Sequence, residues 1–320
     1  MNYLSVCSGI EAATVAWHDM GWKAVGYSEI EKFPSEVLHH HYPDVTNFGD
    51  MTKYKDWNIN ESVELLVGGT PCQSFSVAGL RKGLEDPRGN LALTYLGILD
   101  KFRPKWCVWE NVPGVLSSGK GRDFGSFLGA LVELGYGFAY RVLDAQYFGV
   151  PQRRKRVFVV GCFGDWRSAA KVLFESESLC RDITPIRKEE QETSDNFIPS
   201  IANCLQTTCN DYSRADGFNM ISYSIAENII GRKPHNGGNG NGFSKNIMYT
   251  LNATGVHGVQ TNMKVRKLTP LECERLQGFP DNYTNTPTSS DSTRYKALGN
   301  SMAVPVMRWI GQRINYVNGL

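Results

Sequence analysis

Short apolar runs alternate with amphipathic stretches along the first half of the chain, the pattern of a parallel sheet joined by crossover helices. NYLSVCS (2–8) predicts a strand, and IEAATVAWHDM (10–20) predicts a helix that stops at Gly21. KAVGYSE (23–29) predicts the second strand, and a helix follows around PSEVLHHHY (34–42). Next come a strand in SVELLVGG (62–69), a helix in NLALTYLGILDKF (90–102) that ends ahead of Pro104, and a strand in KWCVWEN (105–111). In FGSFLGALVELGY (124–136), Phe124, Phe127, Leu128, Leu131 and Leu134 fall on one helical face. RVLDAQYFGV (141–150) and RVFVVGCF (156–163) predict further strands.

Beyond about residue 180 the apolar periodicity fades, and GRKPHNGGNGNGFSKN (231–246) is a Gly/Asn-rich stretch that fits an exposed loop. A second, smaller, loop-rich domain is expected there. Order returns at VRKLTPLECERLQGFP (265–280), where Thr269 and Pro270 open a capped helix. AVPVMRWIGQRI (303–314) predicts another amphipathic helix, whose apolar face needs the core of the first domain.

The chain has 320 residues, 41% of them hydrophobic, enough to bury one large core or one large and one small domain. Its eight cysteines include no CxxC pair, so reduced thiols and a cytoplasmic location are expected. No apolar run approaches the roughly 20 residues of a membrane helix. A net charge of +2 neither demonstrates nor excludes a nucleic-acid partner, so local charge must decide.

In an open parallel sheet the ligand site lies beyond the carboxyl ends of the strands. The first strand runs into CSGIEA (7–12), and Glu29, at the end of the second, lies 20 positions after Gly9. That offset suits an acid on ribose hydroxyls, with a solvated loop acid as the alternative. Glu11 and Ala12 stand where a dinucleotide fingerprint has further glycines, which favours a nucleoside-type cofactor without phosphates. The third strand ends in TPCQSFS (70–76) and the fourth in WENV (109–112). They place a thiol, Cys72, and a carboxyl, Glu110, as candidate nucleophile and acid in one cleft. The other cysteines read as small buried hydrophobes. In QRRKR (152–156), strand alternation sets Arg154 and Arg156 on one side and Arg153 and Lys155 on the other, so that one pair can face the cleft and bind an anion or a carbonyl oxygen while the other meets solvent or phosphate.

PCQSFS, ENV, QRRKR, RKLTPLECERLQGFPDNY and YKALGNSMAVPV resemble, in order and spacing, the motif blocks of the DNA (cytosine-5) methyltransferases. The resemblance touches nearly the whole chain except about residues 185 to 262. It implies an α/β fold: a Rossmann-like, S-adenosylmethionine-dependent methyltransferase sheet with helices on both faces, plus a smaller target-recognition domain. The catalytic, cofactor-binding domain is expected at 1–184 and 294–320, with target recognition and hinge at 185–293.

By the same resemblance Cys72 attacks C6 of a flipped-out cytosine, Glu110 bonds N3 and the amino group, and Arg154 and Arg156 lie near the base, Arg156 at O2. For the cofactor it implies Ser8, Gly9, Ile10, Glu29, Asp50, Pro71, Leu91, Asn300 and Ser301. The family usually has an aromatic residue where this chain has Cys7, which leaves the adenine's stacking partner open. Duplex DNA is the expected partner of a monomer, with no membrane and no metal. Gln73, Ser76, Arg81, Lys82 and Arg153 are its candidate contacts near the nucleophile, with Lys53 and Lys55 beside them. Arg214, Arg232 and Lys233 lead the candidates for sequence reading, followed by His235, Asn236 and Asn239. SVAGLRKGLEDPRGN (76–90) has the content of a loop that closes over DNA.

The competing readings are RNA cytosine-5 methylation, a catalytically impaired DNA-binding relative and a nicotinamide-dependent oxidoreductase. A zinc site from Cys204, Cys209 and His257 has a spacing that fits no common ligand set.

Overall fold

The computed structural model describes residues 1–71, 91–174, 223–225, 243–245, 247–251, 253, 257–261 and 264–319. Strands β1 (Asn2–Val6), β2 (Lys23–Ser28), β3 (Leu65–Gly68), β4 (Trp106–Asn111), β5 (Tyr136–Asp144) and β6 (Lys155–Phe163) form one sheet in the order β2-β1-β3-β4-β6-β5. Strands β2, β1, β3 and β4 run parallel. Their crossovers carry α1 (Ala12–Trp17), α2 (Lys32–His41) and α3 (Leu91–Phe102). Helix α4 (Arg122–Glu133) follows β4 and buries Phe124, Phe127 and Leu131.

The alternation in the sequence leads one to expect a parallel sheet, but the sheet is mixed. β6 lies antiparallel between β4 and β5. Residues 145–154, which join β5 to β6, hold only a short 3₁₀ turn at Ala145–Tyr147. That is too short for the helical crossover a parallel pair needs, so the chain turns back on itself. β5 accordingly occupies 136–144 rather than 141–150, ending at Asp144, whose carboxylate accepts from the backbone N–H of Arg154 at 2.9 Å. Strand alternation splits the core between the faces. Tyr3, Leu65, Val67, Trp106 and Val108 join one buried cluster, and Leu4, Leu66, Cys107 and Trp109 the other.

A second sheet, in the order β10-β9-β7-β8, is built from β7 (Tyr223–Ile225), β8 (Phe243–Lys245), β9 (Gly258–Thr261) and β10 (Lys264–Lys267). Helices α5 (Trp166–Leu173), α6 (Pro270–Gln277), α7 (Asp291–Asn300) and α8 (Val304–Asn318) complete the described elements. Thr269 and Glu272 close a reciprocal capping box on α6, with Pro270 at its first position. Met248, Leu251, Leu268, Phe279 and Tyr283 share the buried cluster of Tyr3, Val67 and Ile310, so the chain beyond 248 packs on the large sheet. No described helix is long and apolar enough to cross a membrane.

Candidate active site

From β1 the chain steps outward to β2 and then returns past β1 to β3, so the strand order reverses between β1 and β3. Such a switch point opens a crevice at the carboxyl ends. A cleft of about 760 Å³ lies there, lined by Cys7 and Gly9 after β1, Glu29 and Ile30 after β2, Gly69 to Pro71 after β3, and Glu110 and Asn111 on β4. Asp50, Met51, Leu91, Arg154, Arg156 and Asn300 complete the parts of its wall that bear on the chemistry.

Glu110 and Arg156 form its polar centre. β4 and β6 pair with Glu110 opposite Phe158, which puts Arg156 two residues along the same face of the neighbouring strand. The Arg156 Nε lies 3.0 Å from Glu110 Oε1, with both side chains mostly shielded from solvent. Burial pushes the Glu110 carboxyl above the usual range, against the opposing pull of the Arg156 and Arg154 charges. Burial likewise lowers Arg156, with Glu110 opposing. Room for the carboxylate depends on Gly69, where a Cβ would stand 2.8 Å from Glu110 Oε2.

Alternation along β4 gives Trp109 and Asn111 the opposite face from Glu110. Trp109 Nε1 donates to Thr70 Oγ1 at 2.9 Å, and Asn111 Nδ2 donates to the Thr70 carbonyl at 2.9 Å. Two side chains of β4 thus pin the backbone just ahead of Pro71. Thr70 and Trp109 escape motif reading, although the period of two along WCVWEN pairs Trp109 with Asn111.

Arg154 lines the cleft beside Glu110 and Arg156, with its terminal nitrogens engaged by backbone carbonyls. It is 3% exposed. Its Nη1 donates to the Leu251 carbonyl at 3.0 Å, and its Nη2 to the carbonyls of Gly299 and Ser301 at 3.1 and 2.6 Å. Burial first, and then the Arg156 charge, bring it down to about 9. Although it borders the cleft, its terminal nitrogens tie β6 to two later segments, because buried carbonyls without donors would be costly there. Lys155 is exposed and Arg153 half-buried, as the alternation leads one to expect.

On the cofactor side, Glu29 Oε2 accepts the Gly9 N–H at 2.7 Å and Oε1 the Glu31 N–H at 2.7 Å. Each carboxylate oxygen keeps a lone pair for a further donor. Asp50 caps the 3₁₀ turn Met51–Asp56 through Thr52. Ile30, 73% exposed, offers an apolar side chain next to Glu29. The Cys7 thiol, pushed up to about 12 by burial and then by Glu29, donates to Met51 Sδ at 3.4 Å and is no nucleophile.

Ser8, Ile10 and Ser301 do not line the cleft. Ser8 holds β1 to β2, its N–H donating to the Ser28 carbonyl at 3.1 Å. Ile10 is 0% exposed in the core, and Ser301 is buried with its carbonyl on Arg154. Cys72, Gln73, Ser76, Arg81, Lys82, Arg214, Arg232 and Lys233 lie outside the described residues, as do His235, Asn236, Asn239, Cys204 and Cys209. His257 is buried, with Nε2 2.8 Å from the Thr250 carbonyl. Among the described residues, no group of His, Cys, Asp and Glu is placed to hold a metal ion.

The family model described as C-5 cytosine-specific DNA methylase matches residues 1–316. A protein of Escherichia phage P1 named DNA N-6-adenine-methyltransferase is 34% identical over 98% of this chain and 61% of its own. The chain therefore spans less than two thirds of that relative. Type II methyltransferase M.HpaII of Haemophilus parainfluenzae is 31% identical over 98% of this chain and 88% of its own. Among solved structures, the S. pombe Dnmt2 methyltransferase superposes with a TM-score of 0.69 at 19% identity, covering 100% of both chains, a likeness of fold.

Proposed function

The chain belongs to the C-5 cytosine-specific DNA methylases, and from that premise we propose that it transfers a methyl group from S-adenosylmethionine to C5 of a cytosine in duplex DNA. The observation that carries this reading is the juxtaposition of Glu110 and Arg156 at the strand end beside Pro71, the residue preceding Cys72.

C5 of cytosine is a poor nucleophile, so the ring must first be activated. Attack of the Cys72 thiolate on C6 forms a C–S bond and leaves C5 enamine-like. The electron density gained by the ring is met by the Glu110 carboxyl, which donates or shares a proton at N3. A carboxyl raised by burial is suited to holding that proton. Arg156 holds Glu110 in place and offers its remaining donors to O2. Once C5 carries the methyl, loss of its proton to solvent and departure of Cys72 as the thiolate restore the aromatic ring. S-adenosylmethionine supplies the electrophilic methyl carbon when bound.

The cleft fits that cofactor. Glu29 offers acceptor positions to ribose hydroxyls, and Asp50 offers a carboxylate to the adenine amino group. Ile30 and Met51 give the adenine apolar surface where Cys7 offers only a small thiol. Leu91 and Asn300 line the same cleft, and in this reading Leu91 closes over the cofactor while Asn300 approaches its methionine end.

The target base must leave the duplex to reach this cleft, at a cost of a few kcal/mol. Residues 1–184 and 294–320 carry the chemistry in this reading, and 185–293 carry recognition and the hinge. Arg214, Arg232 and Lys233 meet base edges, while Gln73, Ser76, Arg81, Lys82 and Arg153 steady the flipped strand. The protein works as a monomer in the cytoplasm.

Incubation with methyl-labelled S-adenosylmethionine and duplex DNA or tRNA, followed by nucleoside mass spectrometry, tests this. Label in 5-methylcytosine from DNA is expected. Label in N6-methyladenine, or in tRNA alone, overturns the reading.

A further inference from the structure

Glu11 takes no part in the reaction outlined above, yet it is 1% exposed and sits in the turn that opens the cleft. The turn is left-handed at Cys7, Gly9 and Glu11, with φ of 48°, 57° and 63°. Glycine adopts such angles freely, and a glutamate does not. What offsets the strain at Glu11 is its own side chain, which caps α1. The carboxylate accepts from the Thr14 N–H at 3.1 Å and from Thr14 Oγ1 at 2.5 Å, and it accepts from the Ser5 hydroxyl on β1. Thr14 Oγ1 in turn lies 2.6 Å from the Tyr3 hydroxyl and 3.0 Å from that of Tyr27 on β2. One carboxylate therefore joins β1, α1 and, through Thr14, β2.

The segment held this way does the work of the cofactor wall. Gly9 presents its N–H to Glu29, and the Ile10 carbonyl accepts the Tyr283 hydroxyl at 2.9 Å. Cys7, Gly9 and Glu29 line the cleft, whereas Glu11 lies behind them and does not. Its partners in that position are neutral donors, and burial holds its carboxyl above the usual range.

We propose that Glu11 is a positioning residue for S-adenosylmethionine, its side chain replacing glycine's conformational freedom as the device that fixes the 7–11 turn against Glu29. The inference rests on the reading of this cleft as the cofactor site. It acts on ground-state affinity, because nothing in the Glu11 network reaches the Glu110 and Arg156 end.

Equilibrium binding of labelled S-adenosylmethionine to the full chain, with steady-state kinetics on duplex DNA, tests it in wild type, Glu11→Ala and Glu11→Gln. Glu11→Ala is expected to raise Kd and KM for the cofactor by about tenfold, the scale of one lost buried hydrogen bond. Its kcat at saturating cofactor stays within about threefold of wild type. Glu11→Gln restores affinity, since its amide oxygen accepts from Thr14 and its N–H donates to the Ser5 hydroxyl. Thr14→Val, which removes the hydroxyl shared with Tyr27, reads the same split if Glu11→Ala does not fold. Wild-type affinity in both Glu11→Ala and Thr14→Val, or a loss confined to kcat, overturns the proposal. Failure of the wild-type chain itself to bind S-adenosylmethionine overturns the cofactor reading and this inference with it.

Discussion

Arg156 Nε stands 3.0 Å from Glu110 Oε1, on the strand antiparallel to the one that carries the acid. The pair places a proton-holding carboxyl and a fixed cation at one spot of the cleft. Glu110→Gln keeps the shape and a hydrogen-bond acceptor for Arg156 but cannot exchange a proton. Its kcat is expected to fall by about 10²- to 10⁴-fold, the usual scale of a positioned acid. Single-turnover methyl transfer measures the loss, and cofactor affinity within about twofold of wild type separates it from misfolding.

The raised Glu110 carboxyl has a pH signature. An acid whose pKa is higher in the folded state binds its proton more tightly there than in the unfolded chain. Its contribution to stability is complete below the ordinary carboxylate pKa of about 4.3 and is lost as pH rises through the folded value. The methylation rate at saturating cofactor should fall over that same upper window as the carboxyl ionises. A rate profile measured for wild type and Glu110→Gln checks this, the wild-type step being absent from the variant.

Gly69→Ala would set a methyl 2.8 Å from Glu110 Oε2 and 3.3 Å from Met302 Cε. The carboxylate must shift, and displacement near 1 Å at a reacting group costs about 10²-fold in rate. Thermal unfolding is expected to change little beside that loss, and the two measurements together distinguish a moved acid from a damaged core.

Arg154→Met removes the donors that satisfy the carbonyls of Leu251, Gly299 and Ser301. The Ser301 carbonyl keeps Gln277 Nε2 at 3.3 Å, but leaving the buried Leu251 and Gly299 carbonyls without Arg154 costs roughly 3 kcal/mol, so the variant should unfold at lower denaturant while retaining measurable turnover per folded molecule. Urea titration followed by activity at low denaturant reads both quantities.

Cys72→Ala is expected to abolish methyl transfer while preserving DNA binding. Duplex carrying 5-fluorocytosine at the target should form a stable adduct with the wild-type chain, because fluorine does not leave as a proton does. Denaturing gel electrophoresis detects it, and turnover without adduct would contradict attack at C6.

Much of the site was legible along the chain because it stands at strand ends. The runs that end at Val6, Ser28, Gly68 and Asn111 are short, nearly continuous apolar stretches, and a parallel sheet brings such ends together wherever the intervening chain leads. Glu29 and Glu110 are visible for that reason, whereas Asp50, Leu91, Arg156 and Asn300 come from the resemblance of the motif blocks, and all six line the cleft. The helix over 124–134 was equally plain, since five apolar side chains on one face leave few alternatives.

Other features depend on contacts between residues far apart in sequence, which no local period encodes. The reversal of β6 follows from the ten residues available between β5 and β6, counted from 145 to 154. Arg154 and Arg156 look equivalent in QRRKR, but one finds the carbonyls of residues about 100 to 150 positions away and the other finds Glu110. Glu11 reads as a missing glycine until Ser5 and Thr14 are seen around it. The sequence by itself determined the four parallel strands, their ends and the chemistry they offer. Only the tertiary structure decided which of the two cleft-lining arginines pairs with Glu110 and which spends its terminal donors on backbone carbonyls, because that choice is made by whichever buried donor or acceptor lies within about 3 Å.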